Sequence, residues 1–282
     1  MKLRLPAISF IMIAAVGFSC NNSQNNKTNT MSNSDSATVS NKSNIKEEAA
    51  NVTIEGKNYL GFAYYDENIK GKRPGIIVVP EWWGLNDYPK SRAKQLAGLG
   101  YIALAIDMYG DGKLGNDPKA AMGLASTYYK NPALTKTHID AAIDEIKSFP
   151  QTDTSQIAAI GYCFGGFVVL NAAKLGARLK GVVTFHGGLS GVPPDKNLLK
   201  AKILVCHGGA DEFENPHLAE FKKQMDSVGA DYKLIVYPGA THAFTNPAST
   251  ENGKKFNMPI KYNAEADTAS WNDMKIFFKE LF

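Results

Sequence analysis

One six-residue string constrains this chain more than any other feature: Gly161-Tyr162-Cys163-Phe164-Gly165-Gly166. An apolar, strand-like run, Gln156-Ile157-Ala158-Ala159-Ile160, leads into it, and a helix-like run from Phe167 to Leu175 leaves it. Glycines flanking the string allow a sharp strand-to-helix turn and leave the Cys163 thiol exposed at its tip. Cys163 is therefore a candidate nucleophile. The rest of the chain must then supply a base, an orienting acid and donors for a developing oxyanion.

Short apolar runs recur on both sides of the elbow. They predict a strand pair at 52–54 and 59–65, turning at Gly56-Lys57, then strands at 75–80, 101–107, 157–160, 181–185, 203–206 and 232–237. Between them, apolar spacing of three and four residues predicts helices at 91–99, 118–129, 134–149, 164–175, 215–229 and 264–282. Strands separated by helices in this way predict an α/β fold with a mostly parallel central sheet and helices on both faces. In such sheets the ligand site lies at the carboxyl ends of the strands.

The chain has 282 residues, 44% of them hydrophobic, enough for one large domain with a substantial core. Its formal net charge of +4 is spread along the sequence. No basic run is interleaved with aromatics, so a nucleic-acid partner is not expected. Residues 1–19 have the layout of an export signal, a basic start followed by an apolar stretch that is short for a membrane span. Gly17-Phe18-Ser19-Cys20 resembles the end of a bacterial lipoprotein signal, with Cys20 as the lipidated residue. Residues 20–50 are rich in Asn, Ser, Thr and Lys and read as a flexible tether. The folded domain is then 51–282, exported and held at a bacterial membrane on the periplasmic side by the lipid alone. Cys163 and Cys206 are expected to have separate roles rather than to form a disulfide.

His242, after the strand ending at Tyr237, is the candidate base, since it comes last in the chain order nucleophile, acid, histidine. His186 and His207 end strands and read as lining or capping residues; His138 and His217 read as surface helix residues. Asp211, in Cys206-His207-Gly208-Gly209-Ala210-Asp211, is the candidate acid, with Glu212 and Glu214 as nearby substitutes. A carboxylate there can accept the second imidazole N–H and fix the tautomer. Glu81 stands out at a strand end beside Trp82 and Trp83, where burial would be costly without a partner.

The elbow has the G-x-nucleophile-x-G form of α/β-hydrolases, with cysteine in the place of serine. Taken with Pro80-Glu81-Trp82-Trp83-Gly84, Asp107-Met108-Tyr109, His207-Gly208 with Asp211, and His242-Ala243-Phe244, the chain resembles the dienelactone hydrolase family from about Ile54 onward. The resemblance implies an α/β-hydrolase fold and cleavage of carboxylic esters or lactones through a thioester acyl-enzyme. It implies a Cys163–His242–Asp211 triad, Glu81 as an activator of the thiol, and an oxyanion hole from the backbone N–H groups of Trp82 and Phe164. The family binds its substrate carboxylate with arginines, and the corresponding stretches here, Tyr109 to Lys113 and His242 to Asn246, contain none. An apolar acyl or aryl ester is expected instead, in a pocket drawing on Trp83, Tyr109, Lys113, Phe244 and Asn246. No Cys/His cluster has metal-ligand spacing, and no cofactor is expected. Two further readings are a ligand-binding lipoprotein on a hydrolase scaffold without turnover, and a redox-sensing thiol at Cys163.

Overall fold

The computed structural model describes residues 43–282. The export signal, Cys20 and most of the tether lie outside them. The described chain begins with β1 (Ile45–Ala49), a hairpin of β2 (Val52–Ile54) and β3 (Lys57–Tyr59), and β4 (Gly61–Asp66). There follow β5 (Arg73–Val79), α1 (Asp87–Gly98), β6 (Ile102–Ile106), α2 (Pro118–Lys130), α3 (Ala133–Ser148), β7 (Thr152–Tyr162) and α4 (Phe164–Lys174). β8 (Gly181–Phe185), β9 (Lys202–Gly208), α5 (Asn215–Ser227), β10 (Tyr232–Tyr237), α6 (Ser249–Phe256) and α7 (Ala264–Leu281) complete the chain.

The main sheet has eight strands in the order β1-β4-β6-β5-β7-β8-β9-β10. β4 runs antiparallel to β1 and β6, and every pair from β6 to β10 is parallel. The parallel strands are nearly continuous apolar runs because both of their faces are covered. The two-residue period divides them: Ile77, Val79 and Ala159 enter one core with α3, α4 and α5, while Ile76, Val78 and Ile160 enter the other with α1 and α7.

Helix starts follow the sequence closely. Asn86, Asp117 and Asn263 cap α1, α2 and α7 with their side-chain oxygens, and Pro118 occupies the first turn of α2, where its missing N–H costs nothing. α4 differs, for its N-cap residue is Cys163 and no side chain caps it.

Three parts of the chain depart from the sequence reading. Val52–Ile54 pairs with Lys57–Tyr59 and not with 59–65, and Gly61–Asp66 is a main-sheet strand between β1 and β6. The tether was expected to reach Ala50, but β1 pairs with β4 along Ile45–Ala49. The sequence predicts no helix at α6, because Ser-Thr-Glu-Asn-Gly-Lys-Lys-Phe has too few apolar residues to show a helical period.

Candidate functional site

The elbow is held by close packing. A Cβ at Gly161 would collide with the Gly165 carbonyl, and one at Gly165 with the Val79 carbonyl. Glycine is needed at both positions for α4 to sit against β5 and β7. Between them Cys163 has φ 52° and ψ −114°, a strained conformation for a residue with a Cβ. Its N–H donates to the Phe185 carbonyl at 3.0 Å, which fixes the turn to β8. The positive end of α4 therefore faces the thiol without a competing cap. Cys163 and Cys206 are both free thiols, and Cys206 is buried in a β9 strand with the Tyr237 hydroxyl at 3.6 Å.

Three further strand ends bring polar groups to the elbow. Asp211, fully buried in the turn after β9, accepts from the His242 Nδ1–H at 2.8 Å through Oδ2. Its other oxygen accepts from the N–H groups of Phe213 and Glu214 at 3.0 and 3.2 Å, so the carboxylate cannot rotate away. His242 follows β10, and Cys163 lies within electrostatic reach of its ring. Burial alone would lower the imidazole pKa, but its interactions with Cys163 and Asp211 outweigh burial and hold it well above the ordinary value.

Glu81 follows β5 and is 3% exposed. Burial pushes its carboxyl up to about 7, against the pull of Asn246, His242 and Arg92. Asn246 Nδ2 donates to Glu81 Oε2 at 2.6 Å, and Asn246 Oδ1 accepts from the Ala248 N–H at 2.9 Å. The backbone contact fixes which way the amide faces. The next residue, Trp82, has its carbonyl held by the Tyr109 hydroxyl at 2.9 Å. Among the described residues, no hydrogen bond engages the N–H of Trp82 or of Phe164.

Cys163, His242, Glu81, Trp82, Trp83 and Phe164 all border one cleft of about 440 Å³. Four of the five residues expected in the substrate pocket sit elsewhere. Lys113 lies in a separate depression behind the β2–β3 hairpin and pairs with Asp111 at 3.5 Å. Tyr109 borders that depression too and stands behind the cleft wall, bonded to the Trp82 carbonyl and stacked on Phe164 at 5.8 Å. Phe244 is fully buried against Tyr237 and His186, because Ala243 has φ 56° and turns the following side chain into the core. Asn246 stands behind Glu81 rather than on the cleft wall, whereas Trp83 is on it.

Three of the other histidines are structural, and His217 is exposed on α5 as the sequence predicts. His186 is fully buried and bonds Thr245 Oγ1 at 2.7 Å, and His207 bonds Asn215 Oδ1 at 2.7 Å. His138, read as a surface residue, is buried between the Tyr128 hydroxyl and the Leu134 carbonyl, both at 2.9 Å.

Sequence reasoning did not find Phe213, Tyr129 or the segment 257–260 as cleft residues. The segment follows the unpredicted α6 and is tied to the His242 loop by a bridge between His242 and Ile260, a contact with no local signal. Among the described residues no group of His, Cys, Asp and Glu could hold a metal ion.

A covered, mostly parallel sheet with polar groups converging at its strand ends defines a hydrolase of the α/β class. The profile of the dienelactone hydrolase family matches residues 61–282, and the chain belongs to that family of ester and lactone hydrolases. A crystal structure titled as a dienelactone hydrolase-like promiscuous phosphotriesterase from metagenomic libraries is 34% identical, with a TM-score of 0.78, covering 84% of this chain and 99% of that one. Protein usf of Aquifex pyrophilus is 29% identical over 79% of this chain and 95% of its own length. A putative carboxymethylenebutenolidase of Methylorubrum extorquens is 27% identical over 74% of this chain and 73% of its own.

Proposed function

We propose that this hydrolase cleaves esters or lactones through a thioester on Cys163, with His242 as base and Asp211 as its orienting acid. The observation that carries the reading is the 2.8 Å His242–Asp211 contact beside a thiol displayed on a glycine-flanked elbow. Asp211 holds the Nδ1–H tautomer and leaves the other ring nitrogen for the thiol proton.

In the first half-reaction His242 takes the Cys163 proton and the sulfur attacks the carbonyl carbon. The oxyanion is met by the N–H groups of Trp82 and Phe164. When the intermediate collapses, the C–O bond breaks and the alkoxide leaves with the proton from His242. In the second, His242 takes a proton from water, the hydroxide attacks the thioester carbonyl, and the C–S bond breaks to release the acid and restore the thiol. Glu81, a buried carboxyl beside the elbow, helps activate the thiol.

The substrate reads as an apolar acyl or aryl ester or lactone without a carboxylate. Trp82, Trp83, Met122, Phe213 and Ile260 supply an apolar wall, and among the described residues neither lysine nor arginine borders the cleft. Arg92 is committed elsewhere, to the Thr245 carbonyl at 2.7 Å and to Asp267 at 2.5 Å. The exported, Cys20-anchored placement is part of the same proposal and rests on the composition of residues 1–50. A Cys20→Ala protein that still partitions with membranes would refute it.

Cys163→Ala tests the chemistry. Turnover of short p-nitrophenyl esters and of a small lactone is expected to be lost while the thermal transition stays close to that of the parent. Retained turnover in the folded variant would sink the thiol mechanism. A neutral phosphotriester belongs in the panel, because the 34% identical structure is named for that activity.

A further inference from the structure

Among the described residues five ionisable side chains border the cleft: Glu81, Tyr129, Cys163, His242 and Glu214. The mechanism uses three and leaves Tyr129 and Glu214. Glu214 is the N-cap residue of α5, and its backbone is set by Asp211, whose Oδ1 accepts the Glu214 N–H at 3.2 Å. The turn that orients the acid for His242 thus also fixes where the Glu214 side chain leaves the chain.

The two oxygens of Glu214 have different surroundings. Oε2 accepts from the Leu189 N–H at 2.8 Å, which anchors the carboxylate to the loop after β8. Oε1 lies 3.7 Å from the place a Cβ on Gly188 would occupy, and Gly188 is itself on the cleft wall. Among the described residues no hydrogen bond or ion pair reaches Oε1. Tyr129 lies within electrostatic reach of both Cys163 and Glu214, so this carboxylate belongs to the same space as the thiol. Glu214 is half-buried, and an oxygen with no partner among the described residues is an acceptor offered to whatever fills the cleft.

We infer that Glu214 is a specificity-determining residue, and that its free oxygen binds a primary ammonium group on the substrate, at a distance from the ester carbonyl. The inference rests on the ester-hydrolase reading and deepens it: an apolar body lies along the tryptophan wall and a cationic end meets Glu214. The same carboxylate, with no lysine or arginine among the described residues of the cleft wall, repels a substrate carboxylate.

The groups facing Glu214 are the Leu189 N–H, His242, Asp211, His217 and Tyr129. Burial raises its pKa above the ordinary carboxylate value, opposed by the Leu189 N–H and His242. Preference for the ammonium substrate therefore grows as pH rises through that elevated value, since the ligand amine stays charged while Glu214 ionises.

The test compares kcat/KM for three p-nitrophenyl esters of similar length: ε-aminohexanoate, heptanoate and hydrogen adipate. Glu214→Gln keeps an acceptor for the Leu189 N–H and removes only the charge. It is expected to lower the ratio of ε-aminohexanoate to heptanoate by about tenfold, the scale of one charged hydrogen bond, and to raise the ratio of hydrogen adipate to heptanoate. Ratios unchanged within about twofold of the parent, by the same measure, would overturn the inference. A second measurement separates this claim from the thiol mechanism. In a Cys163→Ala background, calorimetric binding of the benzyl ester of ε-aminohexanoate is expected to weaken about tenfold on adding Glu214→Gln. A Glu214-dependent affinity beside thiol-independent turnover would leave the subsite standing and remove the Cys163 mechanism. An affinity that ignores Glu214 would remove the subsite and leave the mechanism in place.

Discussion

Replacing Glu81 with glutamine should make the protein more stable at alkaline pH and leave it nearly unchanged at acid pH. In the unfolded chain the carboxyl titrates near its usual 4.5; in the folded protein burial pushes it up to about 7. At about 1.36 kcal/mol per pH unit, the difference amounts to about 3 kcal/mol. The sign follows from which state binds the proton more tightly. Below pH 4.5 both states are protonated and the group contributes nothing. Between 4.5 and 7 the unfolded chain releases its proton and the folded protein does not, so stability falls steadily. Above about 7 both are ionised and the full penalty stands. Glutamine cannot ionise, yet its carbonyl can accept from Asn246 Nδ2 as Oε2 does now. Urea titrations of both proteins at pH 4.5 and pH 8 would measure the difference. The variant should gain about 3 kcal/mol relative to the parent between the two pH values, roughly 6–12 °C in Tm for a domain of this size. An identical difference at both pH values would show that Glu81 has an ordinary pKa and would refute the account of its burial.

Lys174 on α4 offers the mirror case: its side chain is 1% exposed, its Nζ has no hydrogen-bond partner, and burial lowers its pKa to about 8. The charged form is penalised in the folded state, so parent stability should rise as pH goes from about 8 to 10.5; Lys174→Met should raise the urea midpoint at pH 7 by an amount worth up to about 3 kcal/mol and abolish that rise. Thiol labelling should separate the two cysteines of the described domain. Cys163 is expected to react with iodoacetamide in the native protein, more slowly in His242→Ala, while Cys206, fully buried and pushed up to about 12 by burial, should react only after denaturation, as peptide mapping would show.

How much of this was legible in the sequence depended on whether a signal was local. The strands of the parallel sheet were readable because covering both faces demands unbroken apolar runs, as in Ile76-Ile77-Val78-Val79. β1 was not, because Ile-Lys-Glu-Glu-Ala has the composition of a tether and becomes a strand only through its pairing with β4. The convergence of Cys163, Asp211 and His242 was legible from chain order and strand-end position, which the parallel topology turns directly into proximity. Side-chain direction was not encoded in the same way. Lys113 and Phe244 follow strand ends just as His242 does, but a left-handed residue at Ala243 and the loop after Tyr109 send them away from the cleft. Asn246 was placed in the pocket by its position four residues after His242, whereas its actual contact is with Glu81, a partner 165 residues distant.

That contact has a consequence for the chemistry of the cleft. A cation at Asn246 would hold Glu81 ionised and bring positive charge up to the cleft. An amide donates one hydrogen bond and carries no charge, so burial dominates and the carboxyl can keep its proton close to neutrality. Arg92 binds the Thr245 carbonyl and Asp267 and lies 5.2–6.0 Å from the rings of Tyr88, Tyr162 and Trp271. Its charge serves to fix the loop that carries the imidazole. Glu214 is then the carboxylate of a cleft that no lysine or arginine of the described residues borders, and the proposed discrimination against anionic esters rests on that arrangement.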